Sequence, residues 1–381
     1  MKSILKNNRQ IFRNLFRVPN HWQNVLYVHT PFCPQKCKYC IYASIIPSGK
    51  EQMNEFYYKI LPAQIEYYRD VLENVEFDQV YFGGGTPSIA DPETLATVYN
   101  QIPNFKNIPM KASEASPYTI TDEHIDLFHQ YGFTYISLGV QTLSTRVLKK
   151  QNRLVVPREK LEHIYQRLNQ YSLICNADLI FFLDTGNLED LAQSREDMNF
   201  TMGQLRPVSI TIHSDYYADK TIPKQEAMLE LIGEMINRYP RYECVNSLLD
   251  RADVEFDMLN GAEYRLMRDR KDFMFYMLSR IPGSPCYGYN VLAIGAYDTF
   301  VPESNYFYVL DFMDKYAYRE ILPRCEEICQ DFLRVRKQLG RPHPPYYSMD
   351  NFFKKEAGKE RFKEISKEFR LPYYAFDNKN E

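Results

Sequence analysis

Residues 27–40 of this 381-residue chain read Tyr27-Val-His-Thr-Pro-Phe-Cys33-Pro-Gln-Lys-Cys37-Lys-Tyr-Cys40. Three cysteines lie within eight residues, separated by three residues and then by two. A cubane iron–sulfur cluster has four irons, each normally bound by one thiolate, so three close cysteines leave one iron open to a ligand other than protein. The spacing therefore predicts a [4Fe-4S] site whose metal ligands are Cys33, Cys37 and Cys40.

A structural zinc site is the main alternative for the same cysteines. His29, four residues before Cys33, would complete a tetrahedral set of three cysteines and one histidine. However, His29 falls at the end of a predicted strand, and nothing else in the sequence resembles a zinc finger. The cluster is therefore the favoured interpretation.

The composition is that of an ordinary globular protein, with 45% hydrophobic and 25% charged residues. The 46 basic and 49 acidic residues give a formal net charge of −3, which provides no general attraction to nucleic acid or to an anionic membrane. We therefore expect no nucleic-acid partner.

No apolar run approaches the ~18 residues of a spanning helix, and the first residues lack the apolar segment of a signal peptide. We therefore expect no membrane span and a cytoplasmic location. Clustered thiols in that reducing compartment are more often metal ligands than disulfides. The expected location agrees with the predicted cluster.

Three parts are predicted along the chain. Residues 1–24 form a helical arm, because basic residues punctuate apolar ones over the first 17 positions as in an amphipathic helix lying on the core. Residues 25–220 form the core domain. Residues 221–381, where the periodic pattern weakens, form a smaller α+β extension on the substrate side whose fold is uncertain.

Short apolar or β-branched runs alternate with segments of helical periodicity in the core domain, which is typical of parallel βα units. The six predicted strands cover residues 25–29, 77–82, 108–113, 134–138, 174–182 and 208–213. The predicted helices cover residues 53–72, 92–101, 122–131, 158–171 and 188–205, and Pro62 is expected to kink the first. Six units predict an α/β fold, a partial (β/α)6 barrel of the TIM-like type.

Each polar or glycine-rich motif falls at the carboxyl end of a predicted strand, where the active sites of parallel barrels form. Residues 83–87, Gly-Gly-Gly-Thr-Pro, follow the second strand and could bring backbone close to a ligand, or simply form a tight turn. Glu114 ends the third strand, Gln141 lies on the fourth and Asp178 on the fifth. Their polar groups could contact a ligand or be satisfied internally.

Together these motifs resemble the radical S-adenosylmethionine (SAM) superfamily and, within it, the oxygen-independent coproporphyrinogen III oxidase-like (HemN-like) branch. The resemblance covers about half of the chain, near residues 25–215, and implies that SAM chelates the open iron and is split by an electron from the cluster. It implies one or two SAM molecules in a pocket formed by Tyr27, Tyr39, Gly84, Gly85, Thr86, Glu114, Gln141, Arg153 and Asp178.

The resemblance implies a radical SAM enzyme that starts hydrogen abstraction, oxidative decarboxylation or methyl transfer on an organic substrate, such as a tetrapyrrole or an aromatic compound. It also implies a small-molecule substrate and an electron donor, namely a reductase, a flavodoxin or a ferredoxin. The alternative is a heme-binding chaperone on the same scaffold without substrate turnover. Heme-chaperone members place a histidine where this chain has Tyr289.

Other chemistry-bearing residues receive weaker interpretations. His213, Asp215, Tyr216 and Tyr217 follow the sixth strand and could line a substrate pocket. The C-terminal region contains four further cysteines, Cys244, Cys286, Cys325 and Cys329, at which a second cluster is conceivable. Ordinary thiols are the favoured interpretation, because the spacing of these cysteines matches no compact ligand motif. No catalytic side chain is assigned.

Overall fold

The computed structural model describes residues 23–40, 44–215, 217–219, 221–249, 254–260 and 289–295. Residues 1–22 of the predicted arm lie outside these residues, as do Tyr216, Cys286, Cys325 and Cys329.

Six parallel strands form the centre of the molecule. They are β1 (Gln23–Thr30), β2 (Gln79–Gly84), β3 (Met110–Ala115), β4 (Tyr135–Gln141), β5 (Ile174–Phe181) and β6 (Ser209–Ser214). Each strand pairs in parallel with the next one along the chain. Every predicted strand overlaps an observed one, with ends that differ by at most three residues. The prediction of a partial, open α/β barrel is confirmed.

Helices connect these strands. In chain order they are α1 (Lys50–Glu55), α2 (Leu61–Tyr67), α3 (Arg69–Asn74), α4 (Pro92–Gln101), α5 (Asp122–Gln130), α6 (Thr145–Lys150), α7 (Arg158–Gln170), α8 (Leu191–Phe200) and α9 (Ile222–Arg238). Side-chain caps fix where several of them begin. Asp91 accepts a hydrogen bond from the Thr94 amide at the start of α4, and Thr121 forms a capping box with His124 in α5.

The first predicted helix, residues 53–72, is divided into α1, α2 and α3. A π-helical turn at Phe56–Ile60 separates α1 from α2, which has Pro62 in its first turn. Proline lacks a backbone N–H, and its ring crowds the carbonyl group four residues earlier, which belongs to Tyr58. The widened turn contains that residue, so the irregularity predicted at Pro62 lies one turn upstream of it.

Three further strands extend the sheet beyond the predicted core. β7 (Tyr242–Leu249) and β8 (Val254–Asn260) form an antiparallel pair that joins β6, and β9 (Tyr289–Ile294) pairs in parallel with β1. The nine described strands have the order β7-β8-β6-β5-β4-β3-β2-β1-β9. One sheet therefore contains strands from both sides of residue 220, and the domain boundary placed there stays a prediction.

The outer face of the sheet carries an aromatic cluster formed by Phe82, Tyr99, Phe105 and Phe133. The Phe82 ring centroid lies 5.0 Å from that of Tyr99 on α4 and 5.8 Å from that of Phe133. All four rings are buried. Their burial holds α4 against β2, so this apolar core lies outside the barrel. None of the described helices has the length and apolar character needed to cross a bilayer.

Candidate functional site

Polar side chains occupy the inner face of the sheet, which faces away from the aromatic cluster. Alternate residues of a strand point to the same side. The register places Tyr27 beside Tyr81, and Glu114 beside Ser137. Because buried polar groups need partners, the hydrogen bonds between these strands determine the shape of the face.

Residues 31–40, the cysteine loop, follow β1 directly. The Thr86 amide donates to the Phe32 carbonyl at 2.8 Å, and Cys33 Sγ lies 3.3 Å from Thr86 Oγ1. The loop is also held on its other side, where the Cys33 amide donates to the Ile45 carbonyl at 2.9 Å. All three thiols of the loop are half-buried and free of disulfides. The structure thus seats the first cysteine against the glycine run.

The glycines at residues 83–85 are required by packing within the chain. Gly84 has φ of +100°, and a Cβ there would overlap the buried His29 ring. A Cβ on Gly85 would overlap the Phe32 carbonyl oxygen, and one on Gly83 would lie 2.8 Å from the Tyr81 ring. The absent side chains let the end of β2 close onto β1 and the cysteine loop. Ligand binding by these glycines stays a prediction.

Arg153 connects the cysteine loop to β4. Its Nη1 donates to Tyr39 Oη at 2.8 Å and lies 3.8 Å from Cys37 Sγ, while its Nη2 donates to the Gly139 carbonyl. Burial disfavours the charge on Arg153, but Tyr39 and Cys37 raise its pKa overall. Burial also raises the pKa of Tyr39, so its phenol stays protonated and accepts the hydrogen bond. A half-buried cation therefore lies beside the second cysteine.

Residues 151–153, the Asn152 turn, hold the cysteine loop by its backbone. The Asn152 side-chain amide donates to the Lys36 carbonyl at 2.8 Å, and the Lys38 amide donates to the Gln151 carbonyl at 3.0 Å. In return, the Gln35 side-chain amide donates to the Asn152 carbonyl. Asn152 has φ of +54°, in the left-handed region that asparagine tolerates better than most residues. Neither Gln35 nor Asn152 was a predicted site residue.

Glu114 is held by a tyrosine that sequence reasoning did not select. Tyr81 donates its hydroxyl to Glu114 Oε1 at 2.9 Å, and its ring stacks on Tyr27 with centroids 6.1 Å apart and an interplanar angle of 16°. Hydrogen bonds to a carboxylate are short and directional. The pair therefore fixes the orientation of the predicted carboxylate on the inner face.

Gln141 presents a buried acceptor at the end of β4. Its Oε1 has no hydrogen-bond partner, and its backbone φ is +67°. The side chain turns back over Gly139, where an added Cβ would lie 2.7 Å from Gln141 Nε2 and 3.1 Å from Arg153 Nη2. A buried acceptor without a donor is costly. The arrangement is therefore suited to a ligand that brings a donor to this point.

Asp178 belongs to a polar network across β4, β5 and β6. Its Oδ2 accepts from the Ser137 hydroxyl at 2.7 Å, and its Oδ1 accepts from Asn176 Nδ2 at 2.6 Å. Asn176 Oδ1 accepts in turn from the Ser209 hydroxyl at 2.7 Å. Asn176 is fully buried, whereas Asp178 is half-buried. The network positions the Asp178 carboxylate on the inner face.

The weaker candidates are dispersed. His213 lies on β6 and is half-buried, whereas Tyr217 lies past the strand and is 65% exposed. The Asp215 amide donates to the Phe181 carbonyl at 2.8 Å. Cys244 is buried on β7. The structure thus gathers the predicted cysteines and SAM-pocket residues at the carboxyl edge of β1 to β5, and the substrate-side candidates lie beside β6.

Comparison with known proteins agrees with this geometry. Residues 27–198 match the family model of the radical SAM superfamily. The HemZ protein of Bacillus subtilis, described as oxygen-independent coproporphyrinogen-III oxidase-like, is 26% identical over 221 residues, which are 56% of this chain and 43% of that protein. The fold resembles the solved structure of HemN from Escherichia coli, with a TM-score of 0.56 at 17% identity over 75% of this chain and 66% of that one. The chain thus contains a radical SAM domain and is similar to HemN-like proteins.

The relatives that the chain matches include chaperones as well as oxidases. The heme chaperone HemW of Buchnera aphidicola (subspecies Acyrthosiphon pisum) is 27% identical over 221 residues, 55% of this chain and 57% of that protein. The chain spans between 38% and 57% of the length of the first curated relatives that it matches. The activity of the whole protein is therefore a matter for proposal.

The radical SAM superfamily implies a [4Fe-4S] cluster and SAM, and the residues present fit both groups. Thiolates such as those of Cys33, Cys37 and Cys40 are the ligands of iron–sulfur clusters, and the orphaned Gln141 Oε1 suits a ligand rich in donors. Among the described residues, no three His, Cys, Asp or Glu side chains are grouped around one point as ligands of a single metal ion would be. A cubane is bound at separate corners, each thiolate on its own iron.

Proposed function

We propose that this chain is a radical SAM enzyme that holds a [4Fe-4S] cluster through Cys33, Cys37 and Cys40 and cleaves SAM reductively to start radical chemistry on an organic substrate. When bound, the cluster supplies the electron that breaks a carbon–sulfur bond of SAM. The main support for the proposal is that Arg153 lies beside Cys37 of the cysteine loop and that Gln141 Oε1 is a buried acceptor without a partner. These residues lie within the region that matches the radical SAM family model.

The inner face supplies acceptors in positions that suit the polar groups of SAM. The carboxylate of Glu114, fixed by Tyr81, accepts hydrogen bonds from an ammonium group. The carboxylate of Asp178, fixed by Asn176, and the Oε1 of Gln141 accept from hydroxyl or amino groups. Backbone groups near Gly84, Gly85 and Thr86, together with Tyr27, Tyr39 and Arg153, complete the proposed pocket.

We propose a tetrapyrrole or another flat aromatic compound as the substrate, with hydrogen abstraction, decarboxylation or methyl transfer as the reaction. Support comes from the similarity to HemZ, which is described as oxygen-independent coproporphyrinogen-III oxidase-like. A reductase, flavodoxin or ferredoxin is the proposed electron donor, and the cytoplasm is the proposed location.

Anaerobic reconstitution tests the enzyme proposal. The expected protein holds about four irons per chain and little zinc. With dithionite and SAM it should form 5′-deoxyadenosine, and S-adenosylhomocysteine as well if it is a methyltransferase. A loaded cluster that yields neither product would reject the enzyme, and one bound zinc in place of iron would reject the cluster.

A heme-binding chaperone is the second candidate, favoured by the similarity to HemW. Tyr289, which stands where heme-chaperone members have a histidine, begins β9 and pairs with Gln23 at the amino end of β1, away from the cysteine loop. Heme titration followed by absorbance distinguishes the candidates. The chaperone predicts stoichiometric heme binding with no SAM-derived product.

A further inference from the structure

The cysteine loop carries two exposed lysines and three half-buried cysteines between residues 33 and 40. Phe32 is fully buried at the start of the loop, but residues 33–40 include no buried side chain. Segments with few buried apolar contacts open locally at low cost. Its position over the sheet therefore depends on hydrogen bonds from neighbouring segments. The Asn152 turn supplies several of them.

The hydrogen bonds between the two segments are reciprocal and include backbone on both sides. The Asn152 side chain binds the Lys36 carbonyl, the Gln35 side chain binds the Asn152 carbonyl, and the Lys38 amide binds the Gln151 carbonyl. Gln35, Lys36 and Lys38 of the loop are thereby tied to one turn. The segments are more than 110 positions apart in the sequence, so the contact exists only in the folded protein.

The turn itself is anchored to the rest of the site. The Arg153 amide donates to the Leu148 carbonyl at 2.8 Å, which closes the end of α6, and the Gln151 side chain donates to the Leu183 carbonyl at 2.6 Å after β5. The Arg153 side chain reaches β4 at Gly139. Because the turn is bonded to β4 and to the segment after β5, it fixes the cysteine loop relative to these strands.

We propose that Asn152 is a positioning residue for the iron–sulfur cluster: its left-handed backbone and its side-chain amide hold residues 35–38 so that the three thiols are presented to the cluster together. The role is indirect, because Asn152 reaches the loop backbone and no thiol. This inference rests on the proposed function, since it concerns the cluster that the function requires.

An Asn152→Gly variant tests the role, with Asn104→Gly as a matched control. Glycine adopts positive φ without strain, so each change removes the side-chain hydrogen bond and keeps the turn. Asn104 has φ of +58° and donates its side-chain amide to the Glu73 carbonyl at 3.3 Å, before the amino end of β3 and away from the cysteine loop. The two variants lose the same kind of bond in two different places.

Three measurements on the full chain are compared between the variants and the wild type. Urea unfolding should change little and equally in both variants. Iron release from the reconstituted protein to a chelator, and deuterium uptake by peptides covering residues 33–40, should be roughly fivefold faster in Asn152→Gly and unchanged in Asn104→Gly, since one net hydrogen bond is lost from the loop. Gln35→Ala, which removes the reciprocal bond, should accelerate both in the same direction.

The possible outcomes separate this role from the proposed function. If Asn152→Gly and Gln35→Ala release iron at the wild-type rate, or only as Asn104→Gly does, the positioning role is wrong and the enzyme proposal stands. If the wild type itself holds no cluster, the proposed function fails and the role toward a cluster fails with it. Faster iron release in Asn152→Gly alone among the two asparagine variants, with equal urea midpoints, supports the role.

Discussion

The two faces of β2 differ sharply although they alternate along the same six residues. Tyr81 faces inward, donates to Glu114 and stacks on Tyr27, whereas Phe82 faces outward into a cluster of buried aromatic rings. The same division holds on β5, where Asn176 joins a polar network and its neighbours Cys175 and Ala177 are buried apolar residues.

The difference separates what stabilises the fold from what forms the site. Burial of apolar rings contributes free energy without directional requirements, so the outer face can stabilise the sheet by itself. Polar groups on the inner face gain little net free energy from their hydrogen bonds, but those bonds fix the orientation of carboxylates and amides. We therefore expect outer-face changes to alter the free energy of unfolding, and inner-face changes to alter ligand binding.

Replacement of a cluster ligand should have the largest effect. Cys37→Ala is expected to lose nearly all of the iron and all SAM cleavage, because two thiolates do not retain a cubane. The urea midpoint of the cluster-free chain should barely move. Cys175→Ala, which removes a buried thiol on the outer face, is the control and should keep its iron. Wild-type iron content and SAM cleavage in Cys37→Ala would show that the ligand assignment is wrong.

Phe82→Ala should give the largest loss of stability. Removing a buried ring from the aromatic cluster leaves a cavity and is expected to lower the free energy of unfolding by about 3–5 kcal/mol. Urea unfolding measures the loss. If a folded Phe82→Ala protein kept its stability but bound SAM more weakly, the division between the two faces would be contradicted.

Gly84→Ala tests the close contact between Gly84 at the end of β2 and the His29 ring on β1. The new Cβ meets the His29 ring at a backbone φ of +100°, so we expect a loss of about 2–4 kcal/mol in unfolding free energy. Gly132→Ala has φ of +72° with no neighbour nearer than 3.9 Å and isolates the backbone strain. Equal losses in the two variants would show that the His29 contact is unimportant.

Asp197 is a buried carboxylate on α8, outside the inner face, and it makes stability depend on pH. Burial raises its pKa to about 6, although the Leu143 amide and Gln193 donate to it. The folded chain then keeps a proton that the unfolded chain releases near pH 4. Stability from this group is therefore lost as pH rises from about 4 to about 6.

Replacing Asp197 with asparagine removes that titration. Relative to wild type, Asp197→Asn is expected to gain about 2 kcal/mol in unfolding free energy as the pH rises from 4 to 7. Urea unfolding at several pH values within this range measures the difference. A difference that does not vary with pH would contradict a raised pKa at Asp197.

Tyr81→Phe should have the smallest effect, because it removes a single hydroxyl group from the inner face. The ring and its stacking on Tyr27 are kept, and the hydroxyl that donates to Glu114 is removed. Stability should change by less than about 1 kcal/mol, while the dissociation constant for SAM should rise roughly tenfold because the carboxylate is no longer fixed. Calorimetric titration of SAM into the reconstituted protein measures this change. Unaltered affinity would remove Glu114 from the proposed pocket.

The sequence was sufficient for the local features of this molecule. Apolar runs separated by helical periodicity predicted all six central strands, and the spacing of Cys33, Cys37 and Cys40 predicted the loop on which the site is built. Alternation along β2 could also have placed Tyr81 on the face of Tyr27. These features depend on neighbouring residues, so they are visible in a single sequence.

The contacts that complete the site depend on distant segments and could not be predicted. Asn152 and Lys36 meet across 116 positions. β9 joins β1 beside the cysteine loop, with the Gly295 amide bound to Gln64 on α2. Only the folded sheet brings these residues together.

The electron paramagnetic resonance spectrum of the reduced, reconstituted protein, recorded with and without SAM, tests most directly whether the cluster has an open iron. If Cys33, Cys37 and Cys40 hold a cluster with one open iron, addition of SAM changes the ligands of that iron and therefore alters the spectrum. An identical spectrum in saturating SAM, from a protein that holds about four irons per chain, would show that no iron of the cluster is open to SAM.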